Sequence, residues 1–213
     1  FSVGTASATP VLYDWEINVN GTVYHALGSE EYGAVTNGSA GGASISSMGF
    51  IMSDPGGYGF NVPIALGTLN VVFDPGAAGN YSIQAYFDIE IDEWINGWDN
   101  EVGGESGSEL AGQTGTIDNP GGDSGDIAFI MNWNFNLLAD ERAVIGFVIS
   151  DLAPVGTYNL FQNDPDSDET IYLVSHLDIQ GHSVPEPATL ILLGAGLMGV
   201  CVAGLRRGRG KVR

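Results

Sequence analysis

Apolar and polar residues alternate along much of the chain, and this period of two predicts β-strands. The first clear case is the segment Val11–Val19, in which five apolar residues are separated by Leu12, Asp14, Glu16 and Asn18. Asn20-Gly21 follows, a pair that accepts the positive φ angles of a tight hairpin turn. The sequence therefore predicts a hairpin whose second strand covers Thr22–Leu27.

Two longer segments show the same alternation. In Tyr81–Asp92 the apolar residues Phe87, Ile89 and Ile91 alternate with acidic ones, and in Ile127–Leu137 large apolar residues alternate with asparagines. Each segment predicts a strand with one face in the core and one in water. Shorter β-rich segments are Ala43–Met52, Leu69–Phe73, Ala143–Ser150, Val155–Phe161 and Thr170–Leu177.

Turn residues separate these segments, and no segment before residue 184 shows the apolar stripe of a helix. About eight or nine strands joined by turns favour an all-β domain built as an antiparallel β-sandwich. Its topology is either jelly-roll or immunoglobulin-like. One region, Gly97–Asp126, is rich in glycine and acidic residues and poor in apolar ones, so it is expected to be a mobile surface loop.

Charge is distributed very unevenly. All 26 acidic residues precede residue 188, where Arg142 is the only basic residue, whereas five of the six basic residues follow residue 205. Such an acidic domain repels phosphate backbones, which excludes nucleic acid as a partner. An anionic polysaccharide would need a bridging cation or an uncharged patch on the protein.

A run of acidic residues at 163–169 suggests a metal site. Asp164, Asp166 and Asp168 stand at alternating positions, a spacing by which a curved loop directs oxygens at one Ca²⁺ ion. The segment departs from the EF-hand pattern, since Glu169 stands where the turn glycine belongs. The alternative is a solvated acidic turn between two strands. No other cofactor is indicated.

Carboxylates and tryptophans also lie close together in the sequence. Asp88, Glu90 and Asp92 would share a strand face, with Glu93, Asp99, Trp94 and Trp98 nearby. Acidic groups beside exposed aromatic rings suit a carbohydrate site, for binding or for acid–base chemistry. The alternative is a solvated strand face with tryptophans in the core. No complete catalytic constellation is present, so the chain is expected not to be an enzyme.

The segment 184–213 has three parts in a fixed order. Pro185-Glu186-Pro187 keeps the backbone extended, because each proline restricts its own φ angle and its neighbour's conformation. The uncharged stretch 188–205 would span about 27 Å as a single transmembrane helix. A basic tail at 206–213 follows, in which Arg206, Arg207 and Arg209 act as a stop-transfer signal and stay cytoplasmic.

This three-part segment resembles the PEP-CTERM sorting signal of Gram-negative bacteria. The resemblance implies that an exosortase, an integral membrane peptidase, recognises Pro185, Glu186 and Pro187 and removes the membrane span. It also implies a protein that is anchored transiently in the inner membrane and then reaches the cell surface or an extracellular matrix. A setting in biofilm or exopolysaccharide production is expected from the same resemblance.

Three parts of the chain follow from these observations. Residues 1–8 are interpreted as the remnant of a signal peptide, because Ala6-Ser7-Ala8 has the form of a cleavage site. Residues 9–183 form the exported acidic domain, and residues 184–213 form the sorting segment.

The leading hypothesis for function is a structural protein of the cell surface or matrix, which acts through self-association or contact with exopolysaccharide. One alternative is a carbohydrate-binding module or a glycan-acting enzyme. Another is a self-assembling extracellular filament subunit.

Overall fold

The computed structural model describes residues 9–29, 31–54, 57, 59, 61–91, 101–118 and 127–181. Within these ranges the protein consists of β-strands, turns and irregular segments. None of the described segments is a helix long and apolar enough to cross a membrane. The fourteen strands of the described residues are β1 Val11–Val19, β2 Thr22–Tyr24, β3 Gly38–Ala40, β4 Ala43–Met48, β5 Met52–Ser53, β6 Val62–Pro63, β7 Gly67–Phe73, β8 Gly79–Glu90, β9 Val102–Ser106, β10 Gln113–Asp118, β11 Ala128–Leu137, β12 Glu141–Ser150, β13 Asn159–Asp164 and β14 Glu169–Gly181.

The strands form three antiparallel sheets. The five-stranded sheet has the order β10-β11-β8-β1-β2, and the seven-stranded sheet has the order β3-β4-β7-β12-β14-β13-β9. Strands β5 and β6 form a separate two-stranded sheet. The prediction of an all-β antiparallel fold is therefore confirmed.

The two large sheets share one hydrophobic core. Phe87 of β8 lies against Phe147 of β12 with ring centroids 6.4 Å apart, and Phe73 of β7 lies against Phe135 of β11 at 6.4 Å. These rings and the other core side chains come from both sheets and form a single cluster. Apolar burial between the sheets is the main force that holds the domain together.

The first hairpin confirms the turn prediction. Val19 pairs with Thr22, and the two turn residues Asn20 and Gly21 have φ angles of 50° and 83°. Glycine adopts such angles without a steric cost, and asparagine tolerates them. The returning strand ends at Tyr24, so the predicted extension to Leu27 is wrong.

A register shift in β1 changes which side chains are buried. The pairing of β1 with β8 is irregular between Leu12 and Asp14, and a bulge of this kind moves neighbouring side chains to the opposite face. Leu12 is consequently fully buried in the core, whereas Tyr13 is only half-buried. The simple alternation had placed Tyr13 with the core residues and Leu12 opposite them.

The predicted loop Gly97–Asp126 contains two strands, so that prediction is wrong for its described part. Strand β9 pairs with β13, and β10 pairs with β11 through six residue pairs. The backbone hydrogen bonds of these pairings, and the packing of Ile117 against the core, offset the cost of ordering a glycine-rich segment. The fourteen strands of the described part also exceed the expected number.

Two further strand predictions need correction. The segment predicted as Val155–Phe161 is ordered as a strand only from Asn159, and Val155 is 95% exposed. The segment predicted as Ala43–Met52 pairs with β7 only as far as Met48. Strand β4 ends where β7, which begins at Gly67, no longer supplies partners. Strand β13 begins at the residue that pairs with Ser106, the last residue of β9.

Candidate functional site

The acidic turn at 163–169 connects β13 to β14. Both carboxylate oxygens of Asp164 accept backbone hydrogen bonds, from the N–H of Asp166 at 2.9 Å and of Ser167 at 3.2 Å. The backbone N–H of Asp168, whose φ is 60°, donates to the Asp164 carbonyl oxygen. Asp164 therefore stabilises the turn, in the way that aspartate does in many tight turns.

Calcium binding by Asp164, Asp166 and Asp168 stays a prediction. Within the described ranges, no group of three or more His, Cys, Asp or Glu side chains is arranged to hold a metal ion. Asp164 is 2% exposed, and its carboxylate already has a role in the turn.

The strand face of Asp88 and Glu90 is not a solvated one, contrary to expectation. Asp88 is 7% exposed and Glu90 is 3% exposed. Asp88 is the cross-strand partner of Asp14, another buried carboxylate. The segment that follows β2 folds over Asp14, which accepts the Gly28 N–H and lies 3.2 Å from the His25 ring nitrogen. Asp92, Glu93, Asp99, Trp94 and Trp98 lie outside the described residues.

A buried hydrogen-bond network that the sequence had not revealed joins the two large sheets. Glu101 accepts the Ile91 N–H at 2.8 Å and the Gln162 side-chain N–H at 2.5 Å. The same Gln162 amide also donates to the carbonyl oxygen of Ile89 at 2.6 Å. Glu101 is 6% exposed and Gln162 is fully buried. These contacts connect β8 to the β9–β13 pair, so the network has a structural role.

A groove lies on the outer face of the seven-stranded sheet, across β9, β13 and β14. We call it the Phe161 groove, and its volume is about 480 Å³. Its described lining comes from these strands and from the β12–β13 loop: Val102, Ser106, Ala153, Pro154, Asn159, Phe161, Asn163, Thr170 and Tyr172. These side chains are aromatic, aliphatic, amide or hydroxyl groups, and none is charged.

Strand register explains why these side chains share one face. Phe161 of β13 pairs with Gly104 of β9 on one side and with Tyr172 of β14 on the other. Side chains of directly paired residues point to the same face of a sheet. A Cβ atom at Gly104 would lie 2.5 Å from the Phe161 ring. The glycine therefore allows the ring to lie over β9.

Asn159 is the most deeply buried polar residue of the lining, with 4% of its surface exposed. Its Nδ2 atom donates to the carbonyl oxygen of Thr157 at 3.0 Å, which fixes the orientation of the amide. Its Oδ1 atom is buried and has no hydrogen-bond partner among the described residues. A buried acceptor without a partner is uncommon in folded proteins.

The β12–β13 loop forms the rim of the groove and is held by Tyr158. The Tyr158 hydroxyl donates to Glu105 Oε2 at 2.8 Å, which joins the end of the loop to β9. Burial, together with the hydrogen bond and the negative charge of Glu105, raises the pKa of Tyr158 well above its usual value. Leu152 and Val155 of the same loop are 75% and 95% exposed.

A second groove, of about 400 Å³, is lined by residues of β8 and β11 together with Asn20. It is rich in asparagine, and Asn20 Oδ1 accepts the Ser82 N–H at 2.7 Å. It contains no buried side-chain acceptor without a hydrogen-bond partner among the described residues. The Phe161 groove is therefore the stronger candidate for a binding site.

The predicted sorting residues lie outside the described part of the chain. They are Pro185, Glu186 and Pro187 of the motif, the span 188–205, and Arg206, Arg207 and Arg209 of the basic tail; residues 1–8 are also outside it. The described residues, which end at Gly181, form one compact unit.

Comparison with known proteins identifies a motif in the C-terminal segment. Residues 183–207 match the PEP-CTERM protein-sorting motif. The chain matches no curated protein and no solved structure. The resemblance of residues 184–213 to the PEP-CTERM sorting signal, which the sequence indicated, is confirmed.

Proposed function

We propose that this chain, which carries a PEP-CTERM sorting motif at residues 183–207, is a structural protein of the bacterial cell surface or extracellular matrix. The motif itself implies export, transit in a membrane-anchored form and processing by an exosortase, a membrane protease. The observation that carries the proposal is the order of the parts: an all-β domain, whose last strand among the described residues ends at Gly181, is followed in the sequence by the motif.

The chemistry of the tail supports transient anchoring. As a helix, the uncharged stretch 188–205 is long enough for the hydrocarbon core of a bilayer. Arg206, Arg207 and Arg209 then remain on the cytoplasmic side, which places the acidic domain outside. The domain itself is proposed to be a β-sandwich of jelly-roll or immunoglobulin-like type.

The interactions of the carboxylates support a structural role over a catalytic one. Asp14, Glu101 and Asp164 are buried and accept backbone hydrogen bonds that fix a loop, a sheet junction and a turn. Carboxylates held in this way stabilise the fold. The remaining acidic groups give a strongly negative surface, which keeps an exported domain soluble.

Processing is tested by mass spectrometry of the protein recovered from cells with and without an active exosortase. With the enzyme, we expect a product that lacks the span and the basic tail; without it, the tail stays attached and the protein stays in the membrane. Pro185→Ala, Glu186→Gln and Pro187→Ala are expected to reduce processing, whereas Pro165→Ala, a proline outside the motif, is the matched control. A tail retained equally with and without the enzyme would refute exosortase processing.

The structural role is tested separately on the purified protein. We expect no turnover of polysaccharide or peptide substrates, and we expect deletion of the protein to weaken the cohesion of the matrix. Reproducible hydrolysis of either substrate class would replace the structural role with an enzymatic one.

A further inference from the structure

We propose that the Phe161 groove binds the sugar rings of an uncharged polysaccharide. The inference rests on the proposed function only for the extracellular setting in which the protein meets such polymers. The contacts of the groove carry the rest of the argument.

The first argument is the aromatic surface of the groove. Phe161 and Tyr172 are paired residues on neighbouring strands, and both are half-buried. Their rings therefore offer apolar surface that the core does not cover. Aromatic rings have a negative face, which attracts the weakly positive C–H groups on the flat side of a pyranose.

The second argument is the unsatisfied acceptor of Asn159. Its Oδ1 atom is buried in the lining without a hydrogen-bond partner among the described residues. Leaving such an acceptor without a partner costs about 1–3 kcal/mol. Asn159 belongs to the lining, but its Oδ1 atom is closed off in the free protein, so a ligand hydroxyl reaches it only when the side chain shifts. The hydrogen bond then removes this cost, and a sugar ring carries several hydroxyls.

The third argument is charge. The groove has no charged residue in its described lining, although the chain has 26 acidic and six basic residues. An anionic polymer would be repelled by the surrounding domain, and a cationic one would find no carboxylate in the groove. An uncharged ligand fits both conditions.

The fourth argument is the form of the site. A volume of about 480 Å³ lies within the range of roughly 300–1,000 Å³ typical of ligand sites. The polar groups of Ser106, Asn159, Asn163 and Thr170 are side-chain hydroxyls and amides. Hydroxyls and amides both donate and accept, as sugar hydroxyls do. A peptide bound as an added strand would pair with backbone groups along the edge of β9, whereas the lining of the groove consists of side chains on the outer face of the sheet.

The test is affinity electrophoresis of the full chain in non-ionic detergent micelles. Native gels contain laminarin, dextran, galactomannan or xyloglucan as neutral polymers, and polygalacturonate as the anionic comparison. The negative protein migrates readily, so binding to an immobile polymer appears as retardation. We expect at least one neutral polymer to retard the protein and polygalacturonate to have no effect.

Variants locate the site. Phe161→Leu, Tyr172→Leu and Asn159→Ala are each expected to weaken binding at least tenfold. Ala153→Arg places a long side chain at the mouth of the groove from an exposed loop position, and should also weaken binding without disturbing a strand. The matched controls are Tyr86→Leu on the outer face of the other sheet and Asn136→Ala in the second groove, and both should bind normally.

Three results would overturn the inference: no retardation by any neutral polymer, equal retardation of the groove variants and the parent, or binding only to a peptide library. Processing is read on the same samples by mass spectrometry. Normal processing without sugar binding rejects the inference and leaves the proposed function intact. Sugar binding without processing supports the inference and rejects the proposed function.

Discussion

Ser175 provides a direct test of how the two large sheets are held together. Its hydroxyl oxygen on β14 accepts the indole N–H of Trp133 on β11 at 2.8 Å and the amide N–H of Gln113 on β10 at 3.1 Å. Trp133 and Ser175 are 2% and 5% exposed, respectively. The substitution Ser175→Ala removes this acceptor and leaves the β-carbon in place.

The expected loss of stability follows from the two donors. The Trp133 N–H loses its acceptor in a buried site, which costs about 1–3 kcal/mol. Gln113 keeps a weak contact with the Met131 sulfur at 3.6 Å, so its loss is near the low end of that range. The sum is about 2–4 kcal/mol, and for a domain of this size each kcal/mol lowers the melting temperature by about 2–4 °C.

Urea unfolding followed by circular dichroism measures the change in the free energy of unfolding. Ser46→Ala, an exposed serine on β4, is the control and should change stability by less than about 0.5 kcal/mol. In a double-mutant cycle with Trp133→Phe, the combined loss should be at least about 1 kcal/mol smaller than the sum of the single losses. A Ser175→Ala loss below about 0.5 kcal/mol, or strict additivity, would refute the role of this contact.

Four other perturbations have defined outcomes. The pKa of Tyr158 is raised in the folded protein. Its contribution to the free energy of unfolding is therefore constant below the pKa of the unfolded chain, near 10, and falls above that pH by up to about 1.4 kcal/mol per pH unit. In thermal melts, Tyr158→Phe should remove the part of the stability loss at alkaline pH that this hydroxyl causes. Asp164→Ala should destabilise the β13–β14 turn by about 1–2 kcal/mol, measured by urea unfolding. The calcium proposal is separate and requires EDTA to lower the parent's melting temperature, so an unchanged curve removes Asp164, Asp166 and Asp168 as ligands. Gly112→Ala should destabilise the fold by more than about 1 kcal/mol in urea unfolding, since φ is +82° and a Cβ there would lie 2.1 Å from the Asn134 carbonyl oxygen.

The strands that were predicted well are those in which local pattern and long-range pairing agree. Val11–Val19 and Ile127–Leu137 have long alternation, and their inward faces enter the core almost as the pattern indicates. The turn at Asn20-Gly21 was predictable because its backbone requirement is local. The bulge beside Leu12 was not predictable, since it depends on the register with β8.

The failures have a common physical cause. Strand β9 is rich in glycine and looks like a loop in isolation, but its pairing partner β13 lies far along the chain. The alternation of β8 correctly places Asp88 and Glu90 on one face, but it cannot show whether another part of the protein covers that face. Local patterns determine which side chains point together, whereas burial depends on contacts between distant segments.

The sorting motif and the Phe161 groove differ in the same respect. A linear motif is recognised as an extended segment, so Pro185, Glu186 and Pro187 could be identified from adjacent residues alone. The groove requires three strands in register, including one that the sequence had assigned to a loop. In the structure Phe161 and Tyr172 each lie next to a buried leucine and point away from the core, but the sequence does not say which of two adjacent apolar residues is buried. What local pattern could not show is that register places them side by side.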